Sequence, residues 1–219
     1  MVDVMNDELR TRLRRLRVVP VLVIDEPDAA EPLAAALMEG GLPCAEVTLR
    51  TPAALEALRR MAQAQPDLLV GAGTVLTARQ AADARAAGAK FIVAPGLNER
   101  VVDYCLDQSV PIYPGVCTPT EIECALQLGL RTLKFFPAEA MGGLKFLKAI
   151  AAPYGQVEFM PTGGIDRAKL ADYLAFDRVV ACGGSWMAPA AWVREQQWDR
   201  VRDEVRRTVE AVGGMTAVG

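Results

Sequence analysis

One of only five lysines in a chain that has no histidine, Lys134, lies within the apolar run Thr132-Leu133-Lys134-Phe135-Phe136-Pro137. An ammonium in such surroundings loses hydration that its neighbours do not replace, which favours the neutral amine, a nucleophile for carbonyl carbon. Lys90, Lys145, Lys148 and Lys169 read as surface residues. In a second run, Cys44–Leu49, Glu46 shares its alternation parity with Thr48 and Arg50, while Ala45, Val47 and Leu49 hold the other. If both runs are strands with the polar parity facing inward, an acid meets an amine there. Without histidine a carboxylate or the lysine must carry protons, and without a clustered set of cysteine, Asp or Glu ligands there is no zinc site to expect. Lys134 as imine-forming amine, Glu46 as general acid/base and Arg50 as a bidentate clamp on a carboxylate describe Schiff-base chemistry on a 2-oxo acid. Two structural readings compete with this one. The lysine head could reach water at the strand end, or Glu46 could pair with Lys134 or Arg50 without catalytic duty.

Glycines mark further places where a ligand or a neighbouring backbone comes close. Gly71-Ala72-Gly73-Thr74 ends one apolar run and offers the Thr74 hydroxyl at its tip. Pro161-Thr162-Gly163-Gly164-Ile165 and Cys182-Gly183-Gly184-Ser185-Trp186 end two others, and each glycine pair exposes backbone N–H groups beside a short helix start. Such amides suit phosphate, although the same glycines could simply make tight turns.

These residues need a scaffold, and the chain supplies a repeating one. Short apolar runs at Val18–Ile24, Cys44–Leu49, Leu68–Val70, Phe91–Ala94, Val110–Tyr113, Thr132–Phe136, Val157–Met160 and Val179–Cys182 read as eight strands. Between them, stretches such as Pro52–Ala64, Ala78–Ala87, Thr120–Leu128 and Leu144–Ala151 have helical length and periodicity. Eight βα units predict a (β/α)8 TIM barrel, and residues 1–219 read as a single domain. A doubly wound open sheet is the alternative, but it would more often carry a Gly-rich phosphate turn after its first strand, where Ile24-Asp25-Glu26-Pro27 stands. In a barrel the catalytic residues sit at the C-terminal ends of the strands, and phosphate commonly lies between the loops after strands seven and eight, where the two glycine pairs fall.

Composition narrows the class of function. A formal net charge of -3 gives no reason to expect a nucleic-acid partner. The local basic run Arg10, Arg12, Arg14, Arg15 and Arg17 interleaves with Leu9, Leu13 and Leu16 at helical spacing, so it predicts an amphipathic helix docked on the barrel. Cysteines at 44, 105, 117, 124 and 182 show neither a CxxC pair nor a disulfide-scaffold spacing and read as reduced and cytoplasmic. Val18–Ile24 is too short to span a membrane, and Asp3, Asp7 and Glu8 argue against a transit peptide.

Taken together and in order, Glu46-Val47-Thr48-Leu49-Arg50-Thr51, Gly71-Ala72-Gly73-Thr74-Val75, Ala94-Pro95-Gly96, Lys134-Phe135-Phe136-Pro137-Ala138-Glu139, Pro161-Thr162-Gly163-Gly164-Ile165 and Gly183-Gly184-Ser185-Trp186 resemble 2-keto-3-deoxy-6-phosphogluconate aldolases. The resemblance runs from about Leu9 to the C-terminal helix. It implies a class I, metal-independent and cofactor-free aldolase of the Entner–Doudoroff pathway, a homotrimer of barrels whose members often also cleave 4-hydroxy-2-oxoglutarate. It further implies that Lys134 forms the imine, that Glu46 moves protons through a water, and that Arg50 and Thr74 bind the pyruvyl portion. Pro95 and Phe136 would pack against that portion, and Thr162, Gly163, Gly164, Gly184 and Ser185 would receive the phosphate. Ala94 stands where serine is common in the family, and Cys117 lies in a variable loop. The alternatives are a phosphogalactonate-type aldolase of the same superfamily and a sugar-phosphate isomerase that uses Glu46 as its base.

Overall fold

A computed structural model describes residues 2–213, with side chains from Glu8 onward; residues 1 and 214–219 of the expected 1–219 domain lie outside the described residues. The chain alternates strands and helices in the order α1 (Val2–Leu16), β1 (Val18–Leu22), α2 (Ala30–Glu39), β2 (Cys44–Thr48), α3 (Ala54–Ala64), β3 (Leu69–Gly73), α4 (Ala78–Ala86) and β4 (Ile92–Val93). It continues with α5 (Glu99–Asp107), β5 (Ile112–Tyr113), β6 (Gly115–Val116), α6 (Pro119–Gln127), β7 (Thr132–Phe135), α7 (Gly143–Ala151) and β8 (Glu158–Pro161). It ends with α8 (Leu170–Leu174), β9 (Cys182–Gly184), α9 (Ala190–Arg194) and α10 (Trp198–Gly213). The strands form a six-stranded sheet, β5-β4-β3-β2-β1-β9, and a three-stranded sheet, β6-β7-β8, and every pairing is parallel. The α/β class and the parallel sheet are as the βα repeat predicts.

Three strands depart from the sequence-based expectation, each for a steric reason. The fifth is split in two by Pro114, which has no N–H for the ladder, although its carbonyl still accepts from Lys134 N at 2.9 Å. The third extends through Gly71 and Gly73, because a side chain at Gly71 would run into the Phe91 ring and one at Gly73 into the Glu46 carboxylate. The eighth is not Val179–Cys182 but Cys182–Gly184; Val179 makes only an isolated parallel bridge to Phe159, and a second isolated bridge joins Thr162 to Gly183. Gly183 and Gly184 are therefore buried strand residues rather than a turn, with the Thr162 side chain and the Trp186 ring occupying the space of the missing Cβ atoms.

Alternation along the strands separates two cores. Leu22, Ala45, Val47, Val70, Ala72, Ile92, Ile112, Leu133, Phe135 and Phe159 pack with helix residues such as Leu33, Leu58 and Leu147. Val19, Cys44, Leu69, Phe91, Val93, Tyr113 and Met160 hold the opposite parity and cluster, with Val180 and Ala181 ahead of β9, against Leu9 and Leu13 of α1. The basic N-terminal segment thus docks by its leucines, as its spacing predicts. Its guanidinium groups bind the strand starts: Arg10 and Arg14 pair with Glu158 at 3.2 and 2.6 Å, and Arg12 donates to the Asp67 carbonyl at 2.8 Å. The helix caps the N-terminal end of the strands and leaves the C-terminal end for chemistry. No helix among the described residues is long and apolar enough to cross a membrane.

Leu13 is fully buried in this cap. Leu13→Ala should lower unfolding free energy by about 2–5 kcal/mol, the usual cost of a buried leucine truncation, as read by urea denaturation.

Candidate active site

β2 and β7 each carry one acidic or basic side chain on the inward parity, and the fold brings the two together. Lys134 Nζ stands 3.5 Å from Glu46 Oε1, with the lysine side chain 6% exposed and the glutamate 0%. That separation is long for a charge-assisted hydrogen bond, so the amine is held but not consumed. The other carboxylate oxygen, Glu46 Oε2, is buried without a hydrogen-bond partner among the described residues. Burying an unsatisfied carboxylate oxygen is costly, and a purely structural pair would be expected to satisfy it. The geometry suits a carboxylate kept free to accept a proton from a hydroxyl or a water.

The walls around this pair are set by close approaches. Gly73 of β3 lies directly against the Glu46 carboxylate, so only glycine leaves room for it. Lys134 Nζ sits over the Phe136 ring at 5.1 Å, and Phe136 Cδ2 in turn lies 3.4 Å from where a Cβ on Gly163 would be. Gly115, opposite Lys134 in the ladder, leaves room for the Pro95 carbonyl. Thr74 directly follows Gly73 at the strand mouth and adopts φ 56°, a left-handed conformation that is strained for a β-branched residue.

Arg50 lies beyond the end of β2 in the turn, exposed, and makes no ion pair with Glu46. Its Nε donates to Thr48 Oγ1 at 3.1 Å, and Thr48 Oγ1 donates to the Leu22 carbonyl at 2.6 Å. The guanidinium is anchored at Nε, which leaves its two Nη groups for a carboxylate. Thr48 is a buried residue that sequence reasoning assigned no role, though its shared parity with Glu46 and Arg50 was the available signal.

Thr162 is buried, Gly163 and Gly164 follow it with φ 106° and 78°, and Ser185 is exposed after β9. The carbonyls of Thr162 and Gly163 accept from the amides of Ala138 and Glu139 at 2.8 and 3.0 Å. Across a trans peptide the N–H points opposite to the C=O, so the amides of Gly163 and Gly164 face away from the β7 loop. The Thr162–Gly183 bridge turns the first toward the Gly183 carbonyl, and the Gly164 amide has no acceptor among the described residues. Gly184, expected with the loop residues, is instead the last residue of β9, in register with Pro20. The Cys117 thiol is pushed up by burial and by Glu121, which argues against a thiolate nucleophile at this mouth. Among the described residues, no group of three or more His, Cys, Asp or Glu side chains converges as a metal cluster.

Residues 9–204 match the aldolase family model described as KDPG and KHG aldolase. The chain belongs to the KDPG and KHG aldolase family. It is similar to the 2-dehydro-3-deoxy-phosphogluconate aldolase of Treponema pallidum (strain Nichols), 50% identical over 203 residues that cover 93% of this chain and 97% of that one. Among solved structures it is similar to the KDPG aldolase of Legionella pneumophila with pyruvate captured at low pH as a covalent carbinolamine intermediate. That match has a TM-score of 0.85 and 41% identity, and covers 88% of this chain and 93% of that one. The 2-keto-3-deoxy-6-phosphogluconate aldolase of Zymomonas mobilis ZM4 with 3-phosphoglycerate is also similar, with a TM-score of 0.86 and 40% identity, covering 91% of this chain and 94% of that one. The first of these two relatives thus holds pyruvate covalently, and the second is solved with a phosphorylated three-carbon acid.

Gly73→Ala pushes a methyl into the Glu46 carboxylate. Steady-state turnover on a 2-oxo acid aldol substrate should fall by about 10²-fold, the lower part of the range for a misplaced general base, while imine trapping with pyruvate persists.

Proposed function

We propose that this chain is a class I aldolase that cleaves 2-dehydro-3-deoxy-6-phosphogluconate to pyruvate and glyceraldehyde 3-phosphate, and also 4-hydroxy-2-oxoglutarate to pyruvate and glyoxylate. The observation that carries the reading is the buried Lys134 amine 3.5 Å from a Glu46 carboxyl whose second oxygen has no partner among the described residues. The Lys134 amine attacks the C2 carbonyl, the carbinolamine loses water, and the protonated imine draws the electron pair of the C3–C4 bond. Glu46 takes the C4 hydroxyl proton as that bond breaks and the aldehyde leaves. The enamine is then protonated at C3, and water hydrolyses the imine to release pyruvate and free the lysine. Arg50 and Thr74 hold the pyruvyl carboxylate end, Pro95 and Phe136 pack against it, and Thr162, Gly163, Gly164, Gly184 and Ser185 receive the phosphate.

The same reading takes residues 1–219 as one closed (β/α)8 domain. It is supported by the near-continuity of β5 and β6 and by the isolated bridges from Phe159 to Val179 and from Thr162 to Gly183. The homotrimer is carried over from the family resemblance. Reduced cysteines at 44, 105, 117, 124 and 182 support a cytoplasmic enzyme of the Entner–Doudoroff pathway.

Sodium borohydride with pyruvate, followed by peptide mass spectrometry, should leave a pyruvyl adduct on Lys134. Folded protein without that adduct would sink the aldolase and leave a sugar-phosphate isomerase based on Glu46. Lys134→Ala should abolish both adduct and turnover. Glu46→Gln should keep the adduct but slow turnover by about 10²–10⁴-fold, the usual contribution of a general base.

A further inference from the structure

We infer that Glu139, acting through Lys169 and Tyr173, is a positioning residue that aims the backbone amides after β8 at the substrate phosphate and so sets the preference for phosphorylated over unphosphorylated 2-oxo acids. The inference rests on the phosphate end proposed above.

Glu139 follows β7, and its carboxylate reaches across to the loop after β8. Oε1 accepts from the hydroxyl of Tyr173, a residue 2% exposed on α8, at 2.6 Å. Oε2 pairs with Lys169 Nζ at 2.9 Å, and the same Nζ donates to the Gly164 carbonyl at 3.0 Å. The carboxyl is held below its usual range first by the Tyr173 hydrogen bond and then by Lys169, so it stays ionised around neutrality. Three successive carbonyls, those of Thr162, Gly163 and Gly164, are thus engaged from the side of the β7 loop and Lys169.

Planar trans peptides convert that fixation into direction. The N–H of Gly163, Gly164 and Ile165 must point away from the groups that hold the preceding carbonyls. The Thr162–Gly183 bridge turns the Gly163 amide toward the Gly183 carbonyl, and the amides of Gly164 and Ile165 have no acceptor among the described residues. Only the Gly164–Ile165 peptide depends on a side chain for its orientation, since the other two carbonyls are held by backbone amides. That side chain is Lys169, and Glu139 sets where its amine stands. The packing leaves no slack: a Cβ on Gly164 would meet Glu139 Cβ at 2.7 Å, and one on Gly143 would meet its Oε1 at 3.0 Å. None of this network touches Lys134 or Glu46, whose contacts lie deeper in the sheet. A charge at Glu139 therefore bears on the phosphate end alone.

Glu139→Gln keeps the size and the Tyr173 contact but removes the charge that holds Lys169. Lys169→Met, at a side chain 42% exposed, removes the donor to Gly164 without disturbing the core. Each should raise KM for 2-dehydro-3-deoxy-6-phosphogluconate about tenfold, the equivalent of one well-made hydrogen bond to a charged group. The kcat on that substrate, the KM for 4-hydroxy-2-oxoglutarate and the rate of borohydride trapping with pyruvate should all stay within about twofold, and the double variant should be no worse than either single one. An equal rise in KM for both substrates, an unchanged KM for the phosphorylated one, or additive losses in the double variant would overturn the inference. The unsubstituted enzyme separates this from a failure of the aldolase reading: absence of its own pyruvyl adduct removes both, whereas an adduct with no KM split in the variants removes only the role of Glu139.

Discussion

The Glu46 carboxyl and the Lys134 amine share the interior of a parallel sheet at 3.5 Å, and much of the surrounding structure follows from accommodating them. Neither charge is stable there alone. Removing one partner would strand the other at a cost of about 3–5 kcal/mol, the penalty of an uncompensated buried charge. Gly73 of β3 gives the carboxyl its space, the Phe136 ring offers its face to the amine, and the second carboxyl oxygen has no partner among the described residues. A core optimised for stability alone would close that gap. Here the stability comes instead from the leucine, isoleucine and phenylalanine layer between strands and helices, which is contiguous around the sheet.

The two ends of the strands divide these demands. At the N-terminal end α1 seals the interior with Leu9 and Leu13 and ties its arginines to Glu158 and to the Asp67 carbonyl. At the C-terminal end, glycines in left-handed conformation, a strained Thr74 and the amides of Gly164 and Ile165, without acceptors among the described residues, replace side-chain packing. Residues between the two levels, such as Cys44, carry no chemistry: burial pushes the Cys44 thiol up to about 12, so it stays protonated beneath the charged pair.

Much of this was legible in the chain because it depends on alternation, which is local. The parity of Glu46 with Thr48 and of Lys134 with Thr132 is a property of neighbours along the strand, and it placed both charges on the inward face. The βα rhythm and the docking of Leu9 and Leu13 were readable for the same reason. What escaped was decided across strands. Gly71, Gly73 and Gly183 looked like loop residues, yet Phe91, Glu46 and Thr162, distant in sequence, fill the volumes that make glycine necessary inside a strand. Thr48 as the anchor of Arg50, and the contacts of Glu139 with Tyr173 and Lys169, depend on side chains converging from separate elements. No periodicity records such meetings, although the place of Glu139 in the Phe-Pro-Ala-Glu run was visible.

The apolar seal made by α1 also governs traffic. With Leu13 fully buried and Leu9 nearly so, α1 lays an apolar floor beneath Glu46 and Lys134. The C-terminal end of the strands, opposite that floor, is where the water that hydrolyses an imine and the aldehyde that would reverse the cleavage meet Lys134. The aldehyde adds to the enamine and water only to the imine left by protonation at C3, so the time the aldehyde stays in the mouth, and not only the energies at the amine, partitions the intermediate between resynthesis and release.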